Sequence, residues 1–174
     1  MNLTNRKLNT FTKFGYDKGR GVFLQALWFA VLNLIFMKWW LPRRFRPLIL
    51  KLFGAKIGEN VFIRHKVRVL WPWKLAVGSN SWLGEDLWIL NLEPVKIGED
   101  VCLSQRVMLC TGNHDYKSQS FTYRNAPIEI GDGVWIAVDS LILPGVKVGQ
   151  GATVLARSTI MNNVSDYSVV SGRI

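Results

Sequence analysis

The sequence contains two histidines, and one of them, His114, lies in a polar stretch between Leu109 and Ile128. This stretch reads CTGNHDYKSQSFTYRNAP. A neutral imidazole can accept a hydroxyl proton near neutral pH, so His114 is a candidate general base. The alternative interpretation is a solvated loop histidine without a chemical role. The second histidine, His65, falls within a regular repeat and is expected to face outward.

Other catalytic chemistry has less support in the residue types. The two cysteines, Cys102 and Cys110, are too few for a disulfide framework or a four-cysteine zinc site. Their pattern indicates small apolar side chains in a reducing compartment. The sequence also shows no convincing nucleophile with its own base, and we predict no metal site.

A six-residue period fills most of the chain and must position the loop that carries His114. Twelve frames begin at residues 57, 63, 77, 83, 97, 103, 130, 136, 142, 148, 154 and 160. The first residue of every frame is aliphatic, and the fifth is small or aliphatic. A helix cannot produce this pattern, because six residues are not a whole number of 3.6-residue turns.

The period predicts short strands and turns that stack into a solenoid. The fifth residue of one frame and the first of the next share a face, so the residue between them points outward. This rule places Trp82, Trp88 and Trp135 outside. Glycine often follows the first residue, which we attribute to a bend that needs permissive dihedral angles. Two-residue slips at 74–77 and 91–95 should bulge at corners.

The charge of the chain is divided unevenly. Residues 1–56 contain eleven basic residues and one acidic residue, whereas 57–174 contain eleven of each, so the net charge of +10 lies in the first part. We therefore divide the chain into a basic, apolar N-terminal helical segment, 1–56, and a repeat domain, 57–174, with a candidate site loop at 110–127. Hydrophobic residues make up 49% of the chain, which argues against disorder.

The N-terminal segment also contains the longest apolar run, at 22–41. It allows three interpretations: a helix in a membrane interface, a helix packed on the body or a neighbouring subunit, and a transmembrane span. Lys38, Gln25 and Asn33 disfavour the span. The run is too long and begins too late for a cleaved signal peptide. Nucleic-acid binding is not expected, because the basic residues surround an apolar run.

The repeat resembles the hexapeptide-repeat acyltransferases, in which three hexapeptides form one coil of a left-handed parallel β-helix. The resemblance implies an all-β solenoid of about five coils after the N-terminal helical segment. The motifs TGNHDY at 111–116 and PIEIGDGVWIA at 127–137 look like those of the sugar O-acetyltransferases of this superfamily. They are most similar to the acetyltransferases of colanic acid and related exopolysaccharide biosynthesis.

This resemblance implies transfer of an acetyl group from acetyl-CoA to a sugar hydroxyl, in exopolysaccharide or lipid-linked glycan assembly. His114 would be the general base, and Asp115 either orients its imidazole or is a solvated carboxylate. Backbone donors at Ala137 and Val138 would stabilise the oxyanion. No metal is required by this reaction.

Binding residues are expected as well, each with a surface or packing role as the alternative. The resemblance aligns Asn91 with a family position that touches the sugar, whereas Tyr116 and Arg124 are expected to reach the acceptor because they lie in the loop of His114. The residues expected beside the cofactor are Trp135, Ala156 and Arg157. Asn162 stands where the family commonly has a lysine, and the chain stops before the family's Pro-Ala-Lys ending. Arg157 could replace that lysine as a phosphate contact.

The expected partners are acetyl-CoA, a saccharide, two further copies of the chain in a homotrimer, and an anionic membrane surface bound through 1–56. This places the protein in the cytoplasm, at the inner face of the membrane. Two other function classes stay open. One is a non-catalytic solenoid that scaffolds partners. The other is a different hexapeptide-family activity, either N-acyl transfer or a zinc-dependent hydration for which the histidines are too few.

Overall fold

The computed structural model describes residues 5, 7–11 and 15–172. Parts of the predicted N-terminal segment, including Arg6 and Lys13, and the last two residues therefore lie outside the described residues. The chain begins with a 3₁₀ turn at Leu8–Thr10, helix α1 at Val22–Val31, a π-helical turn at Leu32–Phe36 and helix α2 at Phe45–Leu52. A second 3₁₀ turn occupies Pro72–Lys74.

Three parallel sheets follow and form the faces of a β-helix. The first sheet contains β1 (Lys56–Ile57), β4 (Leu75–Val77), β7 (Val95–Ile97), β10 (Ile128–Ile130) and β13 (Lys147–Val148). The second contains β2 (Phe62–Ile63), β5 (Trp82–Leu83), β8 (Cys102–Leu103), β11 (Trp135–Ile136), β14 (Thr153–Val154) and β16 (Val169–Val170). The third contains β3 (Arg68–Val69), β6 (Trp88–Leu90), β9 (Met108–Cys110), β12 (Leu141–Ile142) and β15 (Thr159–Ile160).

The predicted solenoid is confirmed. The described residues complete five coils and begin a sixth, in which Val164 bridges to Val148 and β16 pairs with β14. The first residues of the frames line the interior, as Ile63, Leu83 and Leu103 show with fully buried side chains. The predicted slips are also present, because Ile57 pairs with Val77 and Val77 pairs with Ile97, each twenty positions later.

The explanation of the second-position glycines was wrong. The φ angles of Gly78 and Gly131 are not in the left-handed region. Their function is close approach between coils: a Cβ on Gly78 would lie 2.5 Å from the carbonyl carbon of Gly98, and one on Gly131 would lie 2.7 Å from the amide nitrogen of Gln150. Only glycine leaves room for the backbone of the next coil at these points.

The left-handed backbone lies two residues further along, at the fourth position of the frame. The non-glycine residues there with φ between 55° and 61° are Asn60, Lys66, Asn80, Asp86, Asp100, Arg106, Asp139 and Arg157. Tyr167, three residues after Val164 in the sixth coil, has the same conformation. Asparagine and aspartate tolerate this conformation better than other side chains do, which explains why they recur at the corners.

The N-terminal helices cover the open end of the first coil and share its core. The side chains of Trp28, Phe36 and Leu50 are fully buried in the same cluster as the inward residues of the β-helix. The Trp28 indole donates to the carbonyls of Val69 and Leu70, both at 3.0 Å. The helices therefore cover the end of the solenoid, where unpaired backbone groups of the first coil would otherwise be open to pairing with strands of other chains.

Candidate active site

The loop that carries His114 leaves β9 and returns to β10 as an ordered hairpin. Its two arms exchange backbone hydrogen bonds: the Asp115 amide donates to Thr122 at 2.8 Å, and the Arg124 amide donates to Asn113 at 2.8 Å. His114 and Tyr123 form an antiparallel bridge between them. The hairpin therefore holds the backbone of His114 in a fixed position beside the corner between β9 and β10.

The imidazole of His114 is held by aromatic contacts. It stacks on the Phe121 ring with centroids 4.2 Å apart and planes inclined by 4°. The Tyr123 ring lies at 5.0 Å, and Phe11 of the N-terminal segment approaches at 5.8 Å. The side chain is half-buried.

One hydrogen bond determines which nitrogen of His114 can act as a base. Nδ1 lies 2.7 Å from the backbone carbonyl oxygen of Phe121. A carbonyl oxygen only accepts, so Nδ1 must carry a proton in this contact. In the neutral imidazole the lone pair is then on Nε2. The arrangement leaves Nε2 able to accept a proton from a substrate hydroxyl.

The residues before α1, here called the N-terminal strap (7–11 and 15–18), connect this hairpin to the backbone corner at Trp71. The Lys7 amide donates to the Gln119 carbonyl at 2.9 Å. The Tyr16 ring packs 5.1 Å from Tyr123, and its hydroxyl accepts the indole N–H of Trp71 at 2.5 Å. Burial raises the pKa of Tyr16, so this phenol stays neutral. The strap is part of the environment of His114, and sequence reasoning missed it.

Among the described residues, the side chains of Asp115, Tyr116 and Arg124 make no hydrogen bond with the imidazole. The Asp115 carboxylate accepts the backbone N–H of Lys117 at 3.0 Å, while the Phe121 carbonyl takes the orienting position at Nδ1. Tyr116 is 46% exposed, and Arg124 is exposed. Both side chains are free to reach a ligand from the hairpin.

Asn91 does not fit its predicted contact with the acceptor. Its side chain is completely buried. Its Oδ1 accepts the Trp71 backbone N–H at 2.9 Å, and its Nδ2 donates to the Trp71 carbonyl at 2.7 Å. Trp71 precedes the 3₁₀ turn at Pro72–Lys74, where the chain leaves the regular ladder, and the buried amide of Asn91 satisfies its backbone groups. Asn91 therefore stabilises the corner and is not presented to a ligand.

The two predicted oxyanion donors differ in availability. The Ala137 N–H already donates to the Val154 carbonyl at 2.9 Å in the ladder between coils. Within the described part of the chain, the Val138 N–H donates no hydrogen bond. The residue one coil above Val138 is Ala156, whose side chain offers no oxygen to accept this proton. Val138 therefore retains a donor at the corner, whereas Ala137 does not.

The predicted cofactor residues gather around the same corner. The Arg157 amide donates to the Val138 carbonyl at 2.8 Å, and Ala156 and Arg157 are both exposed. The Arg106 guanidinium donates two hydrogen bonds, of 2.6 and 2.7 Å, to the carboxylate of Asp139. These bonds hold the pKa of that carboxyl below its usual range. Arg157 contributes to this shift and so lies near Asp139.

Trp135 presents its ring on the outer face of the second sheet. It is 48% exposed, and its indole N–H donates to the Ser104 hydroxyl at 3.1 Å. Within the described part of one protomer, no hydrogen bond or ring contact links His114 to Trp135 or to the Val138 corner. The predicted residues therefore form two groups. The hairpin group consists of His114, Asp115, Tyr116 and Arg124, and the corner group consists of Trp135, Ala137, Val138, Ala156 and Arg157.

Burial raises the pKa of both the Cys102 and Cys110 thiols, which keeps them protonated at neutral pH. Among the residues that the structure describes, no group of three or more histidine, cysteine, aspartate or glutamate side chains could hold a metal ion.

No family profile matches the sequence. The sequence is 42% identical over 161 residues to the "Putative colanic acid biosynthesis acetyltransferase WcaF" of Escherichia coli (strain K12), covering 91% of this chain and 87% of the relative. It is 28% identical to the galactoside O-acetyltransferase of the same organism over 131 residues, covering 73% of this chain and 64% of the relative.

Solved structures show the same fold. A hexapeptide-repeat acetyltransferase of Vibrio cholerae O1 biovar eltor, complexed with acetyl-CoA, matches with a TM-score of 0.81 at 19% identity, over 94% of this chain and 91% of that one. A maltose O-acetyltransferase of Clostridium difficile 630 matches with a TM-score of 0.79 at 22% identity, over 97% and 92%. These likenesses agree with the predicted left-handed β-helix.

Proposed function

The chain belongs to the acetyltransferase family of WcaF, and from that premise we propose that it transfers acetyl from acetyl-CoA to a saccharide hydroxyl in exopolysaccharide or lipid-linked glycan assembly. The observation that carries this proposal is the bond between Nδ1 of His114 and the Phe121 carbonyl. It gives the imidazole a free Nε2 lone pair, which an acceptor hydroxyl needs for deprotonation.

In the proposed reaction, the hydroxyl oxygen attacks the thioester carbonyl carbon while its proton moves to Nε2 of His114. The resulting imidazolium keeps its Nδ1–H bond to Phe121. The tetrahedral oxyanion accepts the Val138 N–H, which is the available donor at that corner. The carbon–sulfur bond then breaks, and the CoA sulfur takes the proton from Nε2. The acetyl ester and free CoA are the products.

Binding is divided between the two groups of residues. Trp135, Ala156 and Arg157 would contact CoA, with Arg157 as the phosphate ligand, because guanidinium groups recognise phosphate through paired hydrogen bonds. Tyr116 and Arg124 would contact the saccharide from the hairpin. Asp115 would support the hairpin turn through its bond to the Lys117 amide.

We include a homotrimer in this proposal. Trp135 on the second sheet and Trp88 on the third are 48% and 38% exposed, so large apolar side chains lie on two different faces. A closed ring of three protomers uses two different faces of each copy. Such an arrangement lets the His114 hairpin of one protomer meet the Val138 corner of its neighbour and complete the site.

Attachment to the inner face of the cytoplasmic membrane is also proposed. Phe23, Trp39 and Leu52 of the N-terminal segment are each at least 80% exposed. Basic residues lie among them, and apolar burial combined with Lys or Arg near anionic lipid favours an interfacial position. In the described residues, no helix has both the length and the apolar character required to cross a membrane.

The test of the proposed reaction is acetylation by the purified full-length protein. Mass spectrometry of exopolysaccharide fragments after incubation with acetyl-CoA should detect added acetyl esters. His114→Ala should reduce kcat/KM by about 10²–10⁴-fold with an unchanged melting temperature. His65→Ala is the control, because His65 pairs with Glu85 at 3.1 Å away from the hairpin. A loss below threefold for His114→Ala would exclude it as the base.

A further inference from the structure

A groove of about 650 Å³ lies between the N-terminal helices and the lowest coils of the second sheet. It is lined by Arg43, Arg44, Asn60, Val61, Phe62 and Trp82. None of these residues belongs to the proposed catalytic groups. The lining contains two arginines and no acidic residue among the described side chains, so the groove is suited to an anion.

The two arginines have no carboxylate partner in the part of the chain that the structure describes. Instead, Arg43 lies over the Phe62 ring at 5.3 Å, and Arg44 lies over the Phe45 ring at 5.0 Å. Both are exposed, so the guanidinium groups keep their hydrogen-bond donors available. Paired guanidinium groups match the geometry and charge of phosphate oxygens, especially those of a diphosphate.

The other side of the groove is aromatic. The rings of Phe62 and Trp82 lie 6.1 Å apart, and Trp82 is 61% exposed. An exposed indole face can pack against the C–H groups of a sugar ring. The groove therefore combines two arginines that can bind a phosphate with an aromatic face that can pack on a sugar ring.

A row of outward-facing side chains on the second sheet leads from the groove to the proposed reaction site. Phe62, Trp82, Cys102 and Trp135 are consecutive partners on the outer face of the second sheet. Neighbouring strands are about 4.8 Å apart, so three steps from Phe62 to Trp135 span about 14 Å. A short oligosaccharide can cover that distance with its phosphate end in the groove.

Two exposed tryptophans also lie next to Arg43. A second groove of about 320 Å³ shares Arg43 and Phe62 with the first, and Trp39 and Trp40 line it together with basic side chains that include Arg46 and Arg64. Trp39 and Trp40 are 80% and 53% exposed. A ligand with phosphate at Arg43 would therefore meet the indoles of Trp39 and Trp40 as well as the aromatic pair of Phe62 and Trp82.

We propose that the groove at Arg43, Arg44, Phe62 and Trp82 binds the diphosphate of an acceptor in which the saccharide is linked through diphosphate to a prenyl lipid. The prenyl chain would lie towards Trp39 and Trp40, and the saccharide would extend along the second sheet. This inference rests on the proposed acetyl transfer and specifies how its acceptor is held. A nucleoside diphosphate sugar has the same phosphate chemistry but no prenyl chain to pack on Trp39 and Trp40.

The experiment measures binding to the full-length protein in a neutral detergent by isothermal titration calorimetry, without acetyl-CoA. The probes are farnesyl diphosphate, farnesol and UDP. Arg43→Gln/Arg44→Gln is compared with Lys56→Gln/Lys96→Gln, which removes two exposed charges from the first sheet. The arginine pair should weaken farnesyl diphosphate binding at least tenfold and leave farnesol unaffected, whereas the lysine pair should change neither.

Three results would overturn the inference: equal affinity for farnesyl diphosphate and farnesol, no effect of the arginine pair, or UDP binding as tight as that of farnesyl diphosphate. The single variants Arg43→Gln and Arg44→Gln provide the same comparison should the pair lower the melting temperature. His114→Ala should bind farnesyl diphosphate normally. Intact binding without acetyl transfer by the wild type would therefore refute the proposed function, and not the groove.

Discussion

Phe121 supports His114 with two different parts of one residue. Its ring stacks on the imidazole at 4.2 Å, and its backbone carbonyl accepts the Nδ1 proton at 2.7 Å. The backbone of Phe121 has a φ of 50°, a left-handed conformation that non-glycine residues seldom adopt. The hairpin holds this conformation, and it lets the ring and the carbonyl reach the same imidazole.

We predict that Phe121→Ala lowers kcat by about tenfold to a hundredfold, because the imidazole loses its stacking surface and is displaced from the acceptor hydroxyl. The KM for acetyl-CoA should stay within twofold, since Phe121 is not among the proposed CoA contacts. Steady-state kinetics would separate the two effects. Phe121→Tyr retains the ring and should retain most activity. An unchanged kcat for Phe121→Ala would show that the stacking does not position the base.

The repeat could be predicted from the sequence because two independent positions, the first and the fifth of each six-residue frame, keep the same residue type in all twelve frames. The fourth position could also have been recognised, since Asn60, Asn80 and Asp139 are residue types that favour left-handed backbone. The prediction for the glycines failed because it considered only the local bend. Contact with the neighbouring coil is what excludes a Cβ there.

The candidate site was only partly predictable. His114 was found from its residue type and its place in the long loop. The Phe121 carbonyl carries no signal in the sequence, because every residue has one. Asn91 was assigned to the acceptor by the resemblance, yet the structure uses its amide to satisfy the Trp71 backbone. The difference between Ala137 and Val138 depends on hydrogen bonding between coils, which a motif does not show.

The two glycines of the fourth coil should respond differently to substitution. Gly131→Ala should destabilise the protein by about 1–3 kcal/mol, because its Cβ would meet the Gln150 backbone at 2.7 Å. Gly133 has a φ of 65°, and a Cβ there would make only an ordinary contact of 3.9 Å with the Cα of Gly151, so Gly133→Asn should cost under about 0.5 kcal/mol. Thermal unfolding of the two variants tests this. Equal melting temperatures would contradict the close-approach explanation.

Completion of the site by a neighbouring protomer can be tested with mixed oligomers. His114→Ala lacks the base, and Val138→Pro lacks the proposed oxyanion N–H, so each variant alone should be nearly inactive. Co-expression should restore part of the activity, because some clefts then combine an intact His114 with an intact Val138. Light scattering should give the mass of three chains. Absence of recovery in confirmed mixed trimers, or a fully active monomer, would refute the shared site.

Membrane attachment through the N-terminal segment predicts a particular response to salt and to substitution. The full-length protein should sediment with vesicles that contain anionic lipid at low salt and be released in part at high salt, because each Lys or Arg near the surface contributes about 1 kcal/mol. Phe23→Ser/Trp39→Ser/Leu52→Ser should weaken binding further, since these side chains are exposed and add no buried contact to the fold.

The matched control for this variant is Met161→Ser/Val169→Ser, which removes exposed apolar side chains from the opposite end of the solenoid. It should sediment like the wild type, because the attached surface belongs to the helices. The substitutions leave Trp28, Phe36 and Leu50 in the core, so both variants should melt near the wild-type temperature. Recovery of nearly all wild-type protein in the low-salt supernatant, or equal losses for the two variants, would refute attachment through the helical segment.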